Sequence, residues 1–302
     1  MAAAKTDHLE RTAAEPRDKS LHTVTLAEVN EVNDQVRLFR LELSTPLRFL
    51  PGQWLDVYVP GVSKAGGYTI TSSPSSAHPP ISDDPSSPPC RPFLELAVQK
   101  SPDPPAAWLW QDPASITYAE LRVRVGGSFV WPPPGVDTRT LRKAVFVAGG
   151  VGVNPLMSML SSLAEEECPF EVQFLYSLRD EGGRRAQARR MLFVERLASI
   201  FASGRVRGRL RLFLTGGVGE GGEEGVVSCG IGEGKKCGVR FSRRRMTMED
   251  VAAAVGDASE RRFAVVYVCG VPTMTDEFVQ KLADSQHGFG MEPHRVLCER
   301  WW

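Results

Sequence analysis

The most chemically legible stretch of this sequence is Gly149-Gly-Val-Gly-Val-Asn-Pro155. Glycines let a backbone approach a pyrophosphate with no Cβ in the way. The N–H groups of a helix that starts there point at the phosphates, and the helix dipole favours their charge. On this reading Gly149, Gly150, Val151, Gly152, Asn154 and Pro155 are candidate binders of a dinucleotide, NAD(H) or NADP(H). The competing reading is a tight strand–helix turn with no ligand. Context favours the site: Ala144-Val-Phe-Val-Ala148 precedes it as a strand buried on both faces, and Asn154-Pro155 follows as a helix cap and a first-turn proline.

Two look-alikes fail the same test. Gly217-Val-Gly-Glu-Gly-Gly222 leads into no apolar helix, and Glu220, Glu223 and Glu224 would repel phosphate. Gly234-Lys235-Lys236 has Cys229 where a P-loop needs its first glycine, and no hydroxyl follows the lysine. A second candidate segment is Cys269-Gly-Val-Pro-Thr-Met274, at the end of the apolar run Ala264–Cys269. Ligands of open parallel sheets gather at the carboxyl ends of strands, so Cys269 and Gly270 are expected to face the same crevice as the glycine turn. A small buried hydrophobe is the alternative fate of Cys269. Thr273 or Thr275 is expected to cap the next helix, with Met274, Phe278 and Leu282 as its buried stripe.

These residues need two kinds of scaffold. From Thr23 to about Val130 the apolar period is two, as in Trp54-Leu-Asp-Val-Tyr-Val59 and Leu121-Arg-Val-Arg-Val125, which predicts a small antiparallel β-barrel. Pro51-Gly52 and Gly66-Gly67 read as turns, and the Pro- and Ser-rich stretch 74–92 as a surface loop. After Pro132-Pro-Pro-Gly135 the pattern changes. Buried-strand candidates Val172–Tyr176, Leu210–Leu214 and Ala264–Cys269 alternate with helical patterns at Leu192–Phe201 and Thr247–Val255. That alternation predicts an α/β nucleotide-binding domain with a parallel sheet. The expected organisation is a flexible tail over 1–20, a barrel domain over 21–140 and the α/β domain over 141–302, with 216–238 as a flexible Gly-rich excursion.

Composition narrows the function. The 302 residues carry 36 Lys+Arg and 36 Asp+Glu, so no basic excess points to nucleic acid. No apolar run approaches the ~20 residues of a membrane span. The six cysteines form no C-x-x-C pair and the five histidines show no ligand spacing, so no metal site is expected, and a reducing compartment is. Residues 1–20 are too acidic for a mitochondrial transit peptide and lack a secretory apolar stretch.

Five elements in order resemble the ferredoxin–NADP reductase superfamily: Pro51-Gly-Gln-Trp54, Gly66-Gly-Tyr-Thr-Ile-Thr-Ser72, Gly149–Pro155, Cys269–Met274 and an aromatic terminus. Within it, Lys5-Thr-Asp-His-Leu-Glu-Arg-Thr12, Val125-Gly-Gly127 and Trp301-Trp302 look like the oxidoreductase NAD-binding domain-containing subfamily, which implies a mitochondrial location, with a cytoplasmic one as the alternative. The resemblance implies hydride transfer from NAD(P)H to FAD, with electrons passed on to an acceptor outside the chain. It assigns Tyr68 to the flavin face, Thr69 to flavin N5, Cys269 and Gly270 to the nicotinamide and Trp302 to a cover over the flavin. The sequence departs from the family pattern twice: Gly66 replaces the arginine that contacts flavin phosphate, and Ala106 replaces a phosphate-binding hydroxyl residue. The alternative is a non-enzymatic nucleotide-binding or regulatory relative that has lost flavin. Arg179, Arg184, Arg185, Arg189 and Arg190 are candidates for a 2′-phosphate, against a reading as a solvated basic surface, and NADH is the weakly preferred nucleotide.

Overall fold

The alternating first half forms one six-stranded antiparallel sheet in a computed structural model that describes residues 7–78, 91–180, 186–216, 223–232 and 234–300. Its strands are β1 (His22–Asn33), β2 (Val36–Leu43), β3 (Trp54–Tyr58), β4 (Gly66–Thr69), β5 (Phe93–Gln99) and β6 (Glu120–Gly126). The order is β4-β3-β6-β1-β2-β5. A bridge between Ile70 and Leu96, and the Thr71 N–H donating to the Glu95 carbonyl at 2.8 Å, join the two ends and close the barrel. Inward residues such as Leu26, Phe39, Leu55 and Val123 have no exposure. Short helices α1 (His8–Arg11), α2 (Pro74–Ala77), α3 (Pro104–Leu109) and α4 (Pro113–Ile116) accompany it.

Three expectations are corrected in this unit. The described part of the supposed tail lies on the barrel wall: Arg17 bridges to Gly126, and the Gly127 N–H donates to the Pro16 carbonyl at 3.0 Å. Its anchor is Asp56, which has no exposure and accepts from His8 at 2.9 Å, Arg17 at 3.1 Å and Arg124 at 2.9 Å. Gly66 and Gly67 are strand residues rather than a turn. Each lies under a ring: a Cβ on Gly67 would sit 2.1 Å from His8 Cε1, and one on Gly66 2.6 Å from Tyr68 Oη. Glycine inside a strand marks such close approaches. Finally, the start of the Pro/Ser-rich stretch forms α2, tied down by the Leu47 N–H donating to the Ala77 carbonyl; residues 79–90 lie outside the described ones.

The chain divides after Val130, earlier than residue 140, and the second unit runs from Trp131 to Arg300. The physical reason is Trp131, whose ring lies 5.4 Å from Phe170 and 5.9 Å from Tyr267 and so belongs to the second core. Here β7 (Lys143–Gly149), β8 (Glu171–Arg179), β9 (Gly208–Thr215), β10 (Glu224–Gly230), β11 (Lys236–Ser242), β12 (Ala264–Cys269) and β13 (Val296–Glu299) form a sheet of order β10-β11-β9-β8-β7-β12-β13. All neighbours are parallel except β10 and β11. The helices are α5 (Val153–Glu165), α6 (Val194–Ala202), α7 (Met248–Val255) and α8 (Pro272–Ala283). The unbroken apolar runs at β7 and β12 follow from burial on both faces. The Gly-rich 216–238 stretch is corrected in part: 224–230 and 236–242 make a hairpin on the sheet edge, held by a buried Arg243–Asp180 ion pair at 3.0 Å. The decoy motif at 217–222 lies outside the described residues.

Candidate functional site

The glycine turn sits at the carboxyl end of β7, an interior strand of the sheet. Gly150–Gly152 form one turn of 3-10 helix that runs directly into α5. The cap is therefore Gly152, and Asn154 and Pro155 lie inside the first turn of α5, both buried. Asn154 does not cap because the preceding turn has already brought the backbone into helical geometry. Each glycine has its own reason. Gly150 is exposed, has φ +55°, and a Cβ there would meet nothing within 4 Å. A Cβ on Gly152 would lie 2.2 Å from the Cys269 carbonyl oxygen, and one on Gly149 3.3 Å from Gly270 Cα. The two segments expected to share a crevice are thus in backbone contact. Cys269 itself has no exposure, whereas Gly270 is part-exposed. The first turn of α5 carries no acidic residue. Open space beside Gly150, a dipole unopposed by acids and an exposed backbone fit a dinucleotide phosphate.

Neither Thr273 nor Thr275 caps α8. Val271 does, because Pro272 occupies the first helical position, and Thr275 is buried one turn in. Of the arginines considered for a 2′-phosphate, Arg179 is exposed at the end of β8, Arg189 and Arg190 lie in a separate 3-10 turn, and Arg184 and Arg185 fall outside the described residues. Sequence reasoning missed the Asp180–Arg243 pair. Its partners are 63 residues apart with no spacing signal, and only the β8–β9–β11 order brings them together.

The two residues expected on a flavin face are placed differently from one another. Tyr68 pairs with Leu55 across the sheet and packs against the barrel core, while Thr69, buried, pairs with Trp54 on the other face. The Tyr68 ring lies over Gly66, in the space that a side chain at position 66 would enter. Its hydroxyl is buried with no hydrogen-bond partner among the described residues. Burial, aided by the Asp103 carboxylate, pushes its pKa up. Asp103 caps α3, whose first two helical residues are Pro104 and Pro105, without N–H groups, followed by Ala106. A six-residue helix with an acid at its start, two missing donors and no hydroxyl offers a phosphate almost nothing. The glycine turn has room and backbone polarity for a phosphate; the start of α3 has little of either. Trp302 lies outside the described residues, and among the described residues no group of His, Cys, Asp and Glu is arranged to hold a metal ion.

No protein-family model matches the chain. Over 99% of its length it is 28% identical to oxidoreductase NAD-binding domain-containing protein 1 of Danio rerio, covering 98% of that protein. In structure it is similar to a cytochrome P450 reductase of Amycolatopsis, with a TM-score of 0.63 and 21% identity over 95% of this chain and 71% of that one. It is also similar to the FAD/NAD-binding domain of a Vibrio cholerae nitric oxide dioxygenase, with a TM-score of 0.60 and 15% identity over 92% and 97%. The chain shares the fold of these two structures: an antiparallel barrel followed by an α/β unit.

Proposed function

We propose that this chain is a pyridine-nucleotide-dependent oxidoreductase of the reductase type, drawing reducing equivalents from NADH or NADPH and passing them to an acceptor outside the chain. One observation carries it: the open, exposed Gly150 turn at the carboxyl end of an interior strand, leading into α5. The N–H groups there take the dinucleotide phosphates. The Cys269–Gly270 strand end, held against Gly149 and Gly152, positions what lies beyond them. The barrel gives a flavin phosphate no comparable hold, so the proposal does not depend on a tightly retained FAD. The Tyr68 ring over Gly66 favours a second reading, a nucleotide-binding relative without redox activity.

The deciding experiment titrates the purified protein with NADH by fluorescence, then follows anaerobic NADH oxidation with and without added FAD, using ferricyanide as acceptor. The proposal expects saturable NADH binding and NADH-dependent ferricyanide reduction. Binding without any reduction leaves the second reading; absence of binding refutes both.

A further inference from the structure

We propose that Cys229 and Cys237 form a reversible disulfide across the β10–β11 hairpin. The register makes them direct antiparallel partners, and both are free thiols. Cys229 is fully buried, its thiol making a long contact of 3.9 Å to the Val227 carbonyl. Cys237 is half-buried and lines a groove of about 1080 Å³ with Phe201, Arg211 and Val239. One thiol is therefore open to a small reagent and the other waits opposite it.

The geometry also explains why the bond would be reversible. The Ile231 N–H donates to Lys235 and the Arg243 N–H to Glu223, so hydrogen-bonded pairs fall on this register and include 229 with 237. In such pairs the Cα atoms lie about 5.5 Å apart, within disulfide range, but the Cβ atoms must close from about 5 Å to about 3.8 Å. The hairpin has to twist. Gly230 and Gly238, each following one of the cysteines, lower the resistance to that twist. A disulfide closed under strain is more easily reduced. Burial pushes the Cys229 thiol up to about 12, with the neighbouring Cys237 adding to the shift, and burial raises Cys237 as well. Exposure, rather than acidity, then makes Cys237 the first to react.

The chemistry is thiol–disulfide exchange with a low-molecular-weight disulfide. The Cys237 thiolate attacks one sulfur of the reagent and displaces one thiol. Cys229 loses its proton to water and attacks the Cys237 sulfur, displacing the second thiol. Two protein thiols are oxidised and one external disulfide is reduced to two thiols.

The test treats the full chain with glutathione disulfide, blocks remaining thiols with N-ethylmaleimide, and digests with trypsin. Cleavage after Lys236 and Arg240 isolates Cys237-Gly-Val-Arg240 from the fragment carrying Cys229. The expected result is this tetrapeptide joined to that fragment, with the link lost in reduced glutathione. In the reduced protein, alkylation of Cys237 should outpace that of Cys229 by about tenfold or more. Cys168→Ser should leave the link intact and Cys237→Ser should leave Cys229 unmodified. A tetrapeptide that is blocked, carries glutathione alone, or is joined to another cysteine overturns the proposal. The wild-type digest decides even if a variant fails to fold.

Discussion

Gly150 and Gly152 are two glycines in one turn with opposite duties, and they separate ligand binding from folding. Gly150→Glu places a carboxylate where phosphate is expected, in open space. NADH affinity should fall by at least about tenfold, while the left-handed φ costs the fold only about 1–2 kcal/mol. Gly152→Ala should do the reverse, since its Cβ would meet a backbone oxygen at 2.2 Å. We expect several kcal/mol of lost stability by urea denaturation, of the order seen when well-packed sites are overfilled (about 1–3 kcal/mol, occasionally more). Tyr68 makes a third case. Its buried hydroxyl has no partner among the described residues, so Tyr68→Phe is expected to be neutral or to stabilise the protein by about 1 kcal/mol in a urea melt. The turn at 149–155 was legible because strand, glycines and helix follow one another locally. The ring over Gly66 was not: strand alternation says which face a residue takes, whereas the rotamer that folds Tyr68 back two positions is set by tertiary packing.

At the scale of elements, the informative case is the N-terminal segment against β3, β4 and β6. Composition alone read residues 1–20 as a tail, because a short polar stretch with balanced charge has no period. What orders its described part is one carboxylate. Burial by itself would raise the Asp56 pKa; hydrogen bonds from His8 and Arg124 and the charge of Arg17 outweigh that and hold it below 3.8. A carboxylate depressed in the folded state contributes stability above its unfolded pKa and loses it as the pH falls through the folded value. Stability should therefore hold from neutral pH down to about 4 and decline below it, as read by urea midpoints across that range. Asp56→Asn leaves two guanidinium groups against a neutral amide and should cost about 3–5 kcal/mol, the range for breaking a buried ion pair. The 224–242 hairpin escaped sequence reading for a related reason: glycine richness resembles a loop, and only pairing with β9 and the Asp180–Arg243 contact turn it into sheet.

For the whole molecule, the division into a barrel and an α/β unit was readable from the change in hydrophobic period, from two to buried runs separated by helical patterns. Its position was less so, because the Trp131 ring decides it and an aromatic beside prolines carries no periodic signal. The two units should also answer a nucleotide differently. In hydrogen exchange with saturating NADH, slowed amides are expected at 149–155 and 269–275, with β1, β2 and β5 unchanged. Protection centred on the barrel would count against the assignment of the nucleotide to the α/β unit. The zero formal charge adds an expectation about association: without net long-range attraction, NADH on-rates should depend only weakly on ionic strength.

The clasp of His8 and Arg17 on Asp56 bears on how the protein can be handled. A protease or a cloning boundary that removed the chain up to Asp18 would take away two of the three groups that hydrogen-bond a carboxylate shut off from water, and would bare the Trp54 indole against which both of them rest. Fusions and epitope tags therefore belong upstream of residue 7 with a linker long enough to leave the clasp closed.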